Sequence, residues 1–334
     1  MSLPSTYKKI VGVRSSNSLR EAVEIQEVPL EAPGADEILV QVRYTGVNAA
    51  DYLMAAGRYL ASTPPPFDLG SESVGVVVAV GSEVNHIKEG DAVLAIGYGY
   101  REYFTLPAKH AIPIPEVSPE AITLGISGLT ASIALNITGE MTSGETVLVT
   151  AAAGGTGSFA VQLAKLAGNH VIGTCGSDEK AAFLRSIGCD RPLNYRTENL
   201  RDVLRSEYAK GVDIVFDGVG GEMFDTAVNS LAVQGRLLVI GSISEYETGP
   251  QKVNQIRVSY KLINKSASVR GFWLMHFFRH TAEHMQKLLG LVGEGKLLLS
   301  VDDQHFQGVE GGLDALEYMY AGKNIGKVVV EFPA

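Results

Sequence analysis

Val147-Leu148-Val149-Thr150-Ala151-Ala152-Ala153-Gly154-Gly155-Thr156-Gly157-Ser158-Phe159-Ala160-Val161-Gln162-Leu163-Ala164-Lys165 is the stretch on which the fold turns. Four apolar or β-branched residues predict a buried strand, the glycine cluster a tight turn, and the run from Gly157 a helix. Gly155, Gly157 and Ala160 fit G-x-G-x-x-A in the strand-to-helix setting that a dinucleotide-binding turn requires. In that reading the first glycine makes the turn, the second admits a pyrophosphate close to the backbone, and Ala160 lets the helix lie on the sheet. The free N–H groups and positive dipole end of the helix then face the phosphates. Gly154 and Thr156 belong to the same cradle. An ordinary glycine turn is the competing reading in a chain with 37 glycines.

Outward from this turn, short apolar strands alternate with helices: 171–174, a helix over 179–187, 212–216, and 237–240. That rhythm predicts a parallel, doubly wound α/β sheet of the Rossmann type. Before 115 the text is different, with closely spaced strand-like runs at 38–44, 74–80 and 92–96, bounded by glycine. These predict a partly closed β domain. Helices near 281–291 and 313–320 and a strand at 327–332 are too little for a core of their own, so they are expected to rejoin the N-terminal domain. The expected division is 1–123, 124–273 and 274–334.

The end of the second strand selects the dinucleotide. An NAD site carries Asp or Glu about 20 residues on to take the ribose hydroxyls. Here Thr174-Cys175-Gly176-Ser177 carries no carboxylate, and Lys180 follows one turn later. A Ser177 hydroxyl and a Lys180 ammonium suit a 2′-phosphate, which favours NADP(H) as cofactor. A solvated helix-face lysine is the alternative for Lys180.

Composition narrows the function classes. The 334 residues are 46% hydrophobic and 19% charged, enough for two packed domains and unlike a disordered chain. Lys and Arg number 28 against 37 Asp and Glu, a net charge of −9, and no basic block offsets it; nucleic acid is not expected as a partner. Two cysteines, Cys175 and Cys189, cannot build a disulfide framework and suit a reducing compartment. Residues 1–9 lack the apolar core of a signal peptide, and no run of about eighteen apolar residues suited to a bilayer is expected. The terminal Glu331-Phe332-Pro333-Ala334 is neither a prenylation box nor a peroxisomal tripeptide. A cytoplasmic location, with no membrane partner, is the expectation.

Further segments carry a resemblance that covers essentially the whole chain. Gly46-Val47-Asn48-Ala49-Ala50-Asp51, Gly57-Arg58-Tyr59, Pro65-Pro66-Phe67-Asp68-Leu69-Gly70, Gly90-Asp91-Ala92-Val93 and the turn from Ala151 to Gly157 resemble the medium-chain dehydrogenase/reductase superfamily, in its zinc-independent quinone oxidoreductase branch. The segments Ser177-Asp178-Glu179-Lys180, Gly188-Cys189-Asp190-Arg191-Pro192 and Tyr318-Met319-Tyr320-Ala321-Gly322-Lys323-Asn324 are most similar to the prostaglandin reductases of that branch. The resemblance implies a GroES-like β domain beside the Rossmann domain, a homodimer, and NADPH-dependent reduction of the conjugated C=C bond of lipid enones such as 15-oxoprostaglandins. Quinone reduction and a non-catalytic, crystallin-like NADPH-binding role are the alternatives. By resemblance alone, a peroxisomal location is a second possibility.

Residue by residue, the resemblance places Asn48 and Thr130 by the nicotinamide, Asn324 at the same end, and Tyr195 at the adenosine ribose-phosphate. Tyr246, in the loop after Gly241-Ser242, is the candidate donor to the enone oxygen, against the plainer reading of an exposed loop tyrosine. Tyr59 is the second candidate catalytic residue beside Asn48. Ser242 and Phe272 complete the cofactor set, although Phe272 and Trp273 suit core packing as well as a pocket wall. Zinc-dependent members place a cysteine where Asn48 stands and a histidine where Ser71 precedes Glu72, and both cysteines here fall in the cofactor half; a metal-free site is expected. His276, His280 and His284 share a face only if 272–285 is continuous helix, and no acidic ligand completes them.

Overall fold

The computed structural model describes residues 3–59, 64–249, 251–253 and 256–333. The chain divides into two units, Met1–Ile126 with Val301–Ala334, and Ser127–Ser300. The expected boundaries at 123 and 273 therefore move to 126 and 300. The segment 274–300 stays with the dinucleotide-type unit because that unit's own side chains hold it. The buried His284 Nδ1 lies 2.7 Å from Ser132 Oγ, and the Leu298 backbone exchanges bonds with the Gln162 amide at 2.8 and 3.1 Å.

The second unit is built on six parallel strands in the order Arg191–Asn194, His170–Cys175, Thr146–Val149, Val212–Asp217, Leu231–Val239 and Ser268–Gly271. The order reverses between Thr146–Val149 and Val212–Asp217, the switch point at which doubly wound sheets bind ligands. Strands buried on both faces read as continuous apolar runs, as Val147, Leu148 and Val149 do. Leu148, Ile172, Val215 and Leu237 from four adjacent strands meet Leu204, Val228 and Leu231 in one core.

The first unit holds a seven-stranded sheet, ordered Phe306–Gln307, Val329–Glu331, Glu37–Gly46, Glu72–Val80, Ala92–Ile96 and Ile112–Pro113, with Tyr103–Pro107 also on Glu37–Gly46. Two register shifts between Glu37–Gly46 and Glu72–Val80 curl the sheet. Val74, Leu94, Ile114, Ala121, Ile122 and Val329 fill its interior. A three-stranded sheet of Val23–Pro29, Thr6–Gly12 and Phe67–Asp68 completes the unit among the described residues. The expected architecture, a Rossmann-type sheet plus a partly closed β domain, is the one observed.

One stretch passes the test of length and composition for a membrane span although no such run was expected: Ala121–Thr138, with a mean hydropathy of 1.5. It is a 3-10 turn, Ala121–Leu124, a break at Gly125, an α-helix, Ile126–Ile133, and a π turn, Ala134–Thr138. It is 78% buried inside the protein, as a core helix is.

Candidate active site

The turn after Thr146–Val149 is shaped by contacts that only small residues permit. Ala151 sits in the left-handed region at φ +48°, so the sharp reversal falls on an alanine and not on Gly155, which is the first residue of the helix Gly155–Leu166. Gly157 was expected to make room for a pyrophosphate. Instead a Cβ at Gly157 would stand 2.4 Å from Ala151 O and 2.7 Å from Ala152 Cα. Its bareness lets the helix lie against its own turn, a task shared with the fully buried Ala160. The residue open to a ligand is the N-cap, Gly154, where a Cβ would meet nothing closer than 3.4 Å. No side chain caps this helix, so its first N–H groups are oriented for an anion. Thr156 Oγ1 lies 3.5 Å from Ser127 Oγ, which brings the helix Ile126–Ile133, and with it Thr130, beside the cradle.

At the end of His170–Cys175 three of the expected residues converge. Ser177 caps the helix Asp178–Ser186 by accepting the Lys180 N–H at 3.2 Å. Lys180 is half-buried one turn in, and Tyr195 follows the neighbouring strand so closely that a Cβ at Gly176 would meet its hydroxyl at 2.6 Å. The Asp178 carboxylate, in the first turn of this helix, accepts a hydrogen bond from Asn194 Nδ2 at 2.8 Å. Ser177, Lys180 and Tyr195 thus share the strand end, residue types that fit the 2′-phosphate of NADP(H).

Sequence reading missed the group at the switch point. Asp217 is fully buried; its carboxylate accepts the Thr150 hydroxyl at 2.7 Å and the N–H groups of Val219 and Gly220 at 3.0 and 3.2 Å. Thr150 Oγ1 in turn accepts the Gly218 N–H at 2.9 Å. Burial raises the Asp217 pKa, and these donors oppose the shift. The signal was present: Asp217-Gly218-Val219-Gly220-Gly221 after an apolar strand is a second strand–glycine–helix passage.

The loop that carries Ser242 and Tyr246 lies on this second turn. Ile243 N–H and Ser244 N–H donate to Gly218 O and Val219 O, and Tyr246 Oη accepts the Ser242 N–H at 3.2 Å. The phenol therefore folds back over its own loop and is half-buried, not an exposed tip. Phe272 is 8% exposed and stacked on Phe277 at 4.8 Å, which places it in packing. The histidine row is broken between His276 and His280, because Phe277, inside the 3-10 segment Leu274–His280, has non-helical angles.

In the first unit the expected residues sit in a buried polar network. Asn48 caps the helix Ala49–Ala55. Its Nδ2 donates to Gly46 O at 3.1 Å and Glu72 Oε1 at 3.0 Å, and its Oδ1 accepts from Lys327 Nζ at 2.7 Å. Lys327 Nζ also donates to Glu72 Oε1 at 2.6 Å, with the two side chains 3% and 0% exposed. Asp51 accepts Asn48 N–H at 3.0 Å, Tyr100 Oη at 2.9 Å and the Ser71 hydroxyl. Burial pushes its pKa up to about 6, against the pull of these donors and of Lys327. Tyr59 donates its N–H to Leu53 O, and Asn324 Nδ2 donates to Gly326 O at 2.8 Å. An amide and a hydroxyl at the two positions where zinc-dependent relatives set a cysteine and a histidine, with the Lys327 ammonium bonded to that amide, do not fit a zinc ion.

Gly154, Gly155, Thr156, Gly157, Thr130, Ser177, Lys180, Tyr195, Ser242, Tyr246 and Phe272 belong to the second unit; Asn48, Tyr59 and Asn324 belong to the first. Glu72, Lys327 and Asp51 were invisible as a group.

Comparison with known proteins agrees with this geometry. Residues 34–116 match the family described as alcohol dehydrogenase GroES-like domain, and residues 155–292 the family described as zinc-binding dehydrogenase. The chain is 49% identical to prostaglandin reductase-3 of Mus musculus, over 99% of this chain and 91% of that protein. It is 43% identical to a probable quinone oxidoreductase of Leishmania amazonensis over 99% of both. The Escherichia coli quinone oxidoreductase complexed with NADPH superposes with a TM-score of 0.85 at 27% identity, over 97% of this chain and 99% of that one. The chain belongs to the medium-chain dehydrogenase/reductase superfamily, in the quinone oxidoreductase branch that includes the prostaglandin reductases.

Proposed function

We propose that this protein reduces the conjugated C=C bond of α,β-unsaturated ketones with NADPH, in the manner of a 15-oxoprostaglandin 13-reductase. The observation that carries the reading is the grouping of Ser177, Lys180 and Tyr195 at the end of His170–Cys175, where the strand end itself carries no carboxylate and Asp178 is bonded to Asn194. The similarity to a mammalian prostaglandin reductase supports the substrate class. Bound NADPH supplies a hydride. The chain's own residues bind and orient: the N-terminus of Gly155–Leu166 takes the pyrophosphate, and Ser177, Lys180 and Tyr195 take the 2′-phosphate. Tyr246 donates to the substrate oxygen as it gains charge, the place where a preorganised donor lowers a barrier most. Asn48, Tyr59, Thr130 and Asn324 keep the roles that the resemblance implies. No metal is needed in this chemistry, since charge spread over a conjugated system is held by hydrogen bonds.

Quinone reduction is the second reading, favoured by the 43% identity to a probable quinone oxidoreductase. For assembly we propose a homodimer. Ser268–Gly271 is the edge strand of its sheet among the described residues, and Val253, Ile256, Tyr260 and Ile263 are exposed before it in sequence. Two buried free cysteines and the acidic balance fit a cytoplasmic protein that does not bind nucleic acid.

The test is NADPH oxidation against 15-oxoprostaglandins, small enones, quinones and aldehydes in parallel, in the presence of a chelator, with products identified by mass spectrometry and NMR. A saturated ketone with its carbonyl intact is the expected product. An allylic alcohol, turnover of quinones alone, or loss of activity to the chelator overturns the reading.

A further inference from the structure

The buried ion pair of the first unit does more than neutralise two charges. Glu72 opens the strand Glu72–Val80, and its Oε2 accepts the Ile126 N–H at 2.7 Å. Ile126 is the last residue of the first unit before the chain enters the second. The chain returns at Val301, which forms a parallel bridge with Lys327, and the Asp302 N–H donates to Lys327 O at 2.8 Å. The buried Glu72 carboxylate therefore holds the departing end of the chain at Ile126, the Lys327 main chain holds the returning end, and the two side chains together hold both atoms of the Asn48 amide.

We propose that Lys327 and Glu72 are a positioning pair for turnover: through the Asn48 amide and the Ile126 N–H they fix the start of the helix Ala49–Ala55 and the backbone at Ile126. This rests on the reading that Asn48 serves the reaction. The physical reason is the asymmetry of the site. Asn48 can point its oxygen at the ammonium and its NH2 at the carboxylate in only one amide orientation, because the flipped amide would set NH2 against the ammonium and oxygen against the carboxylate. The pair thus specifies a single rotamer at the start of that helix. Stability alone is a poor reason for such a pair, since buried ion pairs are often replaceable by neutral groups of similar volume without loss.

Removing either partner alone leaves a buried charge and an uninformative collapse, so the variant to make is Glu72→Gln with Lys327→Met, which leaves none. It is compared with Asn48→Ala and with the triple variant, on whichever substrate the protein turns over. Using that substrate keeps a failure here distinct from a failure of the enone assignment. The double variant is expected to lose about tenfold or more in kcat, with NADPH affinity by fluorescence titration changed by less than about threefold. In the Asn48→Ala background the same two changes should cost less than about twofold, as a pair acting through Asn48 requires. Hydrogen exchange should show faster exchange at Asn48 and Ile126 in the double variant, while Asp302, bonded to the Lys327 main-chain oxygen, is unchanged. An unchanged kcat, fully additive losses, or failure of the neutral double variant to fold each overturns the proposal. So does rapid exchange of the Ile126 amide in the unmodified protein.

Discussion

The Thr150 hydroxyl donates to the Asp217 carboxylate across the switch point of the sheet at 2.7 Å, and the same hydroxyl accepts the Gly218 N–H at 2.9 Å. Two strand ends and the second glycine turn are thereby tied in one closed circuit with no donor left over. Asp217→Ala strands the Thr150 hydroxyl, the buried Gly220 N–H and the partly buried Val219 N–H, and is expected to lower unfolding free energy by roughly 2 to 4 kcal/mol. Denaturant unfolding measures this; a change under about 0.5 kcal/mol shows that the carboxylate is dispensable.

The phosphate assignment predicts selectivity. Lys180→Ala is expected to weaken NADPH by about 1.5 to 3 kcal/mol, roughly ten- to more than hundredfold, while NADH affinity hardly moves. Titration of both nucleotides decides it, and equal losses would place the lysine away from the 2′-phosphate.

The two glycines flanking Gly155 predict opposite outcomes. Gly157→Ala puts a methyl 2.4 Å from Ala151 O, a backbone atom that cannot swing aside. A loss of roughly 1 to 3 kcal/mol in stability, with weaker dinucleotide binding, is expected. Gly154→Ala has its nearest neighbour at 3.4 Å and an ordinary φ of −84°, so the fold should tolerate it. Its effect should appear in the dissociation constant of the nucleotide and not in the melting curve. Equal destabilisation by the two would contradict the geometry.

Tyr246→Phe removes the phenol that accepts the Ser242 N–H. If that hydroxyl serves the substrate oxygen, kcat falls by about 10² or more while KM changes little, since the bond strengthens only as charge develops. A rise in KM at constant kcat would reduce Tyr246 to a loop brace.

Asp51 predicts a pH signature. Its folded pKa of about 6 lies above its ordinary value of 3.8, so between them the native state binds the proton that the unfolded chain releases. Stability from this group is fully present below about pH 4 and is lost as pH rises through about 6, on the order of 2 to 3 kcal/mol in all. Subtracting the stability curve of Asp51→Asn from that of the native sequence should give this slope. A flat difference curve between pH 4 and 7 would refute it.

Legibility in the sequence followed the range of the interactions. The parallel strands were readable because burial on both faces leaves an apolar run such as Val147-Leu148-Val149. Arg191–Asn194 was not read as a strand, since Arg-Pro-Leu-Asn looks like a turn. It lies at the sheet edge, where Pro192 costs no ladder bond on the open side. Ser177 and Lys180 were found because their placement follows from one strand end, and Tyr195, just after the neighbouring strand, through the resemblance. Lys327 and Glu72 were not, because 255 residues separate them and no periodicity links a lysine after a glycine to a glutamate opening a strand. Asn48 was picked out by resemblance, yet the partners that fix its amide come from a distant strand and from the end of the chain.

The pairing of Val329–Glu331 with Glu37–Gly46 has a consequence for biosynthesis. Glu37–Gly46 is the strand on which the first unit's sheet is organised, and one stretch of its edge, from Tyr44 to Gly46, has its partner only after all of Ser127–Ser300 has been made. The inserted unit is continuous in sequence and can close its own sheet as it emerges from the ribosome. The host unit cannot. Until Val329–Glu331 and Lys327 arrive, an unpaired strand edge and the lone charge of Glu72 stay open to water, so the nascent chain is most exposed to mispairing in the half that was synthesised first.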